Sequence, residues 1–214
     1  AAARKVDAVV FIGGLNKGDH QDSEGADRLQ LGLPYGQDAV IGALAEANPN
    51  LAVVFVSGNA VAMPWIDRVP AVLEAWYSGS EAGNALADVL FGAVNPSGKL
   101  PFTFPVRLED CSAHSAGEYP GEGQVVYRDG IFVGYRWIEK ERIEPLFAFG
   151  HGLSYTTFDI ANVRADRTSL ATTGRLRVSA DVTNTGGRAG AEVVQLYIGD
   201  KLSSLPRPVK ELKG

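Results

Sequence analysis

With 214 residues, the chain can form one large domain or two small ones. Its 45 % hydrophobic and 21 % charged content is the balance of a soluble globular protein, and a net charge of −5 disfavours nucleic-acid or anionic-membrane binding. No apolar run is long enough to span a bilayer, and the one cysteine, Cys111, excludes an internal disulfide and a cysteine-built zinc site.

The opening AAARKVDAVVFIGG is a poor secretion signal, because the apolar stretch after its basic residues is short and reads better as a strand. The compartment is left open between secreted, periplasmic and cytoplasmic. His20, His114 and His151 are scattered without ligand spacing, so no metal and no other cofactor is expected. His114 lies three residues from Cys111 on a polar stretch, where an ordinary loop cysteine is a better reading than a catalytic thiol.

Val6–Ile12 is a continuous apolar, β-branched run, as a buried parallel strand requires, and it ends at Gly13-Gly14. After a polar loop from Leu15 to Leu33, Tyr35–Asn48 carries Val40, Leu44 and Ala47, with Ile41 beside them, at helical spacing. Asn48-Pro49-Asn50 stops that helix. Leu51–Val56 and Val69–Trp76 follow as strands. Ser78-Gly79-Ser80-Glu81 has the pattern of a capping box for a helix ending at Gly92. Leu100–Phe104 is expected as a short strand, Pro105 to Gly130 as irregular, and Ile131–Ile138 fits helix and strand equally. The fold class is therefore α/β, a layered sandwich with a mostly parallel sheet, over residues 1–150.

From residue 151 to 214 the pattern changes. Leu176–Val182 alternates apolar and polar strictly, Glu192–Ile198 and Phe158–Val163 are further strand candidates, and no helix signal is seen. These few strands predict the start of an all-β, immunoglobulin-like sandwich, incomplete because such folds need about seven.

Chemistry concentrates after the first strand. Four acids, Asp19, Asp22, Glu24 and Asp27, lie within nine residues, on a loop beyond the carboxyl end of a predicted parallel strand, where α/β sheets meet their ligands. A solvated acidic loop and a catalytic carboxylate both fit. An EF-hand does not, because the order of acids is wrong, and no G-x-G-x-x-G accompanies Gly13-Gly14.

The stretch DSEGADRLQLGLP resembles the acid/base loop of glycoside hydrolase family 3. SGNAVAMPW (Ser57–Trp65), EAWYSGSEAGNALADVLFGAVNPSGKLPFTFP (Glu74–Pro105), GIFVGYRW, PLFAFGHGLSYTTF (Pro145–Phe158) and VTNTGGRAGAEVVQLYI (Val182–Ile198) resemble further segments of that family in the same order. The resemblance implies a fibronectin type III-like domain after the α/β domain. It also implies a retaining exo-acting β-glucosidase, in which one carboxylate attacks the anomeric carbon while a second carboxylic acid protonates the departing oxygen. Glu24 matches that second group. It must be protonated when the bond breaks, which a neighbouring anionic nucleophile and burial under substrate would both favour.

The same resemblance implies a nucleophile in a (β/α)₈ barrel outside this chain, so the partners expected are a β-glucoside or short gluco-oligosaccharide and a barrel-bearing segment. Oligomerisation is left open. A β-xylosidase or other exo-glycosidase of the family, and a non-catalytic carbohydrate-binding fragment, are the alternatives. Ser23, Gly25, Asp27 and Arg28 are candidates for contacting substrate or bracing the loop. Gly25 is expected to permit a sharp turn, and Asp27 and Arg28 to pair with each other. Trp65, Trp76 and Tyr77 read first as core or strand residues, although Trp76 and Tyr77 could stack on a sugar. His20 reads as surface loop, Glu81 as a cap, Lys99 and Arg107 as surface charges, and Tyr135, Arg136 and Trp137 as candidates for a domain interface.

Overall fold

The computed structural model describes residues 1–121, 123–171 and 173–214. Glu122, inside the stretch expected to be irregular, lies outside the described residues.

Three strands, β1 (Val9–Gly14), β2 (Leu51–Val56) and β3 (Ala71–Glu74), form a parallel sheet in the order β1-β2-β3. β2 is flanked on both sides, and Val53, Val54 and Phe55 are fully buried, which is why it reads as an unbroken apolar run. β1 departs from expectation. It begins at Val9 rather than Val6, and its burial alternates, leaving Val10 49 % and Ile12 59 % exposed. Val9 and Phe11 face the core, whereas the opposite side of this edge strand is open. Upstream of it, Ala2–Lys5 forms a 3₁₀ turn fastened by the Asn48 amide, which donates to the carbonyls of Ala3 and Val6 at 2.9 Å each.

Helix α1 (Gln37–Ala47) starts after Gly36, whose left-handed φ of 70° a glycine tolerates without a Cβ penalty. The face that packs inward is centred on Ile41, Leu44 and Ala45; Val40 is half-exposed. Ile41 and Leu44 thus face the core as the helical spacing suggests, whereas Val40 falls on the outer side of the stripe. Helix α2 (Ala82–Leu90) starts too late for Ser78 to cap it: the Ser78 hydroxyl donates instead to the Ala75 carbonyl at 3.0 Å.

Leu100–Phe104 is not a strand. Phe104 makes a single antiparallel bridge to Phe147. Pro101 lies within the segment and Pro105 directly after it, and neither can donate to a ladder. Phe104 is nevertheless buried, with Phe102 stacked on it at 5.6 Å and Phe147 edge-on at 6.3 Å. The stretch expected to be irregular contains a 3₁₀ turn (Leu108–Asp110) followed by a short helix, α3 (Ser112–Ser115), and the undecided segment after it becomes helix α4 (Tyr135–Glu141), entered through Gly134 at φ 61°.

Two compact units are present, one made of residues 1–83, 100–151 and 195–214, the other of 84–99 and 152–194. The first holds the parallel sheet and its core, and also the antiparallel pair β6 (Tyr197–Ile198) and β7 (Glu211–Leu212). Only these two residues remain of the strand expected over Glu192–Ile198. The second holds the antiparallel pair β4 (Phe158–Ala165) and β5 (Val178–Asn184), with a bulge between Ala161 and Arg164. β5 runs two residues beyond the expected strand end. Also within this unit, Lys99 is not a free surface charge. Its ammonium lies 2.7 Å from Glu192 and donates to the Gly152 carbonyl at 2.6 Å, with both charged side chains mostly covered. The whole is a mixed α/β fold with a small parallel sheet and separate antiparallel pairs.

A braced acidic loop at the carboxyl edge of the sheet

The carboxyl ends of β1, β2 and β3 all lie on one edge of the sheet, because the three strands are parallel. The loops leaving that edge meet there. The longest runs from Leu15 to Gly36, and a connection of that length without regular structure is usually functional. Its base is closed by Gln37, whose side-chain amide accepts from the Gly14 N–H and donates to the Gly14 carbonyl, both at 2.8 Å. Gly14 has φ 132°, and a Cβ there would collide with the Val56 carbonyl, so only glycine lets the chain leave β1 this close to β2.

Within the loop, Ser23 and Ala26 close a turn through the Ser23 hydroxyl, which donates to the Ala26 carbonyl at 2.9 Å. Glu24 and Gly25 form the tip of this turn, and both are exposed. Gly25 is not in the left-handed region, and a Cβ built on it meets no atom within 4 Å. The sharp turn expected from Gly25 is therefore supplied by the Ser23 bond instead.

Asp27 and Arg28 brace the loop with separate partners rather than with each other. The Tyr119 hydroxyl donates to the Asp27 carboxylate, and the Asp27 carbonyl contacts His20 Nδ1 at 3.0 Å. Arg28 reaches across to the Ala60 carbonyl after β2, while its Nη1 is buried with no partner among the described residues. Burial lowers the Arg28 pKa, and the nearby Asp22 opposes that shift. An open cavity of about 310 Å³ lies on this side, lined by residues that include Arg28, Asn59, Thr103 and Cys111. Glu24 does not line it.

Asp22, Tyr77 and Glu74, none of them singled out as a bracing residue in the sequence, complete the arrangement. Asp22 accepts from the Gly58 N–H at 2.7 Å, the Tyr77 hydroxyl at 2.8 Å and the Asn59 amide at 2.5 Å. Tyr77 follows β3, so one carboxylate joins the loops after all three strands. Burial and the bond to Asp22 both raise the Tyr77 pKa. Glu74, the last residue of β3, accepts from the Ser57 hydroxyl at 3.1 Å and the Trp76 N–H at 3.0 Å. Burial pushes its carboxyl up to about 7, against those two bonds, with Asp22 adding a smaller push in the same direction. An acid ending an apolar strand was the available signal for Glu74. Trp76 packs edge-on against Phe102 at 5.6 Å, and Trp65 is buried with its indole N–H donated to Asp38 at 2.8 Å, so both serve the core.

The exposed Glu24 carboxyl thus sits on a turn held from several sides, at the carboxyl edge of the parallel sheet of an α/β domain. Residues 1–155 match the family model of the glycosyl hydrolase family 3 C-terminal domain, and the chain belongs to glycoside hydrolase family 3. It is 52 % identical to the β-glucosidase BoGH3A of Bacteroides ovatus, covering 99 % of this chain and 29 % of that protein. It is 48 % identical to the thermostable β-glucosidase B of Acetivibrio thermocellus, covering 100 % of this chain and 28 % of that protein. The crystal structure of DesR, a β-glucosidase from Streptomyces venezuelae in complex with D-glucose, superposes with a TM-score of 0.91 at 43 % identity, over 99 % of this chain and 26 % of that one. β-Glucosidase 3B from Thermotoga neapolitana in complex with glycerol gives 0.81 at 32 % identity, over 100 % of this chain and 30 % of that one. The chain thus spans less than a third of the length of these relatives.

Proposed function

We propose that this chain supplies the proton donor, Glu24, of a retaining β-glucosidase that removes terminal β-D-glucosyl residues. The nucleophilic carboxylate then belongs to a barrel-bearing segment outside these 214 residues. The observation that carries the reading is the display of Glu24: an exposed carboxyl on a short turn whose flanks, Asp22 on one side and Asp27 and Arg28 on the other, are all tied down.

In the first step the nucleophile attacks the anomeric carbon, the glycosidic C–O bond breaks, and Glu24 gives its proton to the departing oxygen. In the second, Glu24, now a carboxylate, takes a proton from water as that water attacks the anomeric carbon and releases the enzyme's nucleophile. Ser23, Asp27 and Arg28 hold the turn, and the open space beside Gly25 leaves room for the sugar. Residues 151–214 are read as the beginning of a fibronectin type III-like domain, with β4 and β5 among its strands.

The test is Glu24→Ala in the full-length protein. Protonation matters most for poor leaving groups, so kcat/KM on an alkyl β-glucoside is expected to fall about 10²–10⁴-fold. A dinitrophenyl β-glucoside, which needs no protonation to leave, is expected to keep its glycosylation rate far better, and added azide to restore turnover in the second step. Equal losses on both substrates, with no azide effect, would rule out Glu24 as the proton donor.

A further inference from the structure

We infer that Asp22 is a positioning residue for Glu24, a clamp that fixes the proton-donating turn to the ends of β2 and β3. The inference rests on the reading of Glu24 given above and adds the group that holds it in place.

The geometry is specific. Asp22 lies two residues before Glu24, and its two carboxylate oxygens accept from three donors on two other loops: the backbone N–H of Gly58, the amide of Asn59 and the hydroxyl of Tyr77. Its own N–H donates to the Asn16 carbonyl at 3.0 Å, which fixes the backbone on the same side. Ionised carboxylates accept without donating, so three donors converging on one side chain call for an acid and not an amide.

The surroundings fit that demand. A Cβ on Gly58 would approach Tyr77 Cε2 to 3.1 Å and Asp22 Oδ2 to 3.3 Å, so a glycine is what allows this close approach. The Lys17 ammonium lies over the Tyr77 ring at 5.6 Å, adding a second tie between the loop and the end of β3. By contrast, the Glu24 carboxylate makes no hydrogen bond among the described residues, and it is exposed. Its position is inherited from the backbone: Ser23 closes the turn on itself, and Asp22 is the nearest side chain on the N-terminal flank that ties the turn to other loops. Displacing a catalytic group by about 1 Å costs on the order of 10²-fold in rate, so an anchor this near is kinetically important.

The experiment uses the full-length protein and compares wild type, Asp22→Asn, Asp22→Glu, Tyr77→Phe and Glu24→Ala. Each is assayed with an alkyl and a dinitrophenyl β-glucoside across pH. Asp22→Asn keeps the size of the side chain but turns donors toward donors. It is expected to lower kcat on the alkyl glucoside about 10- to 100-fold, to change kcat/KM on the activated glucoside less than about threefold, and to shift the basic limb of the pH profile. Asp22→Glu, which restores a carboxylate, should recover part of the loss. Tyr77→Phe should show the same substrate selectivity at smaller size, and it decides the matter if Asp22→Asn does not fold. Equal losses on both substrates, or no loss on either, overturn the clamp. If Glu24→Ala is selective and the Asp22 and Tyr77 variants are not, only the clamp fails. If Glu24→Ala itself is unselective, the proton-donor reading fails and the clamp falls with it.

Discussion

A side chain's chemistry is decided by what surrounds it, and Glu74 illustrates this most sharply. It closes an apolar strand, accepts from Ser57 and Trp76, and has its carboxyl pushed up to about 7 by burial. A carboxyl that holds its proton more tightly folded than unfolded stabilises the fold fully below its ordinary value near 4.5. That contribution is lost as pH rises through about 7. Melting experiments between pH 4.5 and 8 should therefore show a decline that Glu74→Gln removes, worth about 2 kcal/mol once solvent screening is allowed for. An unchanged pH dependence in that variant would assign the decline to other groups. Sequence reading found the acid cluster and singled out Glu24 through its family motif. It missed Glu74 and Asp22 as partners because their significance arises only when the ends of three strands lie side by side. It also paired Asp27 with Arg28, adjacent in sequence, where the fold sends one toward Tyr119 and the other toward Ala60.

Elements were legible where one physical signal dominated. β2 was read to the residue, because a central parallel strand is apolar on both faces and is stopped by Pro49-Asn50 before it and Ser57-Gly58 after it. α1 was found, but periodicity alone cannot decide which of Val40 and Ile41 lies inside the stripe when both are aliphatic. The structure makes the choice testable. Ile41→Ala, at a site with no exposure, should cost about 2–4 kcal/mol in chemical denaturation, and Val40→Ala, on the half-exposed side, less than about 1. Similar costs would place Val40 inside the stripe as well. Leu100–Phe104 misled for a different reason. Its aromatic residues do bury, but as a stack held by one bridge, with Pro101 within the segment and Pro105 directly after it denying a ladder. The capping box misled because the helix begins at Ala82, past the reach of Ser78.

For the molecule as a whole, the order of motifs carried more than any single one. The α/β class and the family membership were legible, whereas the division of contacts into two units, each drawn from separated stretches of chain, has no counterpart in local composition. The proposed division of labour has a direct consequence at this scale. The 214 residues alone, assayed with an aryl β-glucoside, are expected to show no turnover above background, because only one of the two required carboxyl groups is present. Enzyme-like rates from the isolated chain would refute the shared site.

The vacancy beside Gly25 gives the tip of the loop an unusual experimental property. Most substitutions near an active site confuse two effects, harm to the scaffold and harm to the guest. Here a Cβ would meet no atom within 4 Å among the described residues, and the backbone is not in the left-handed region. Under the proposed function, Gly25→Ala therefore acts as a tactile probe: a loss of activity without a loss of stability would report how closely the sugar passes the tip of the loop.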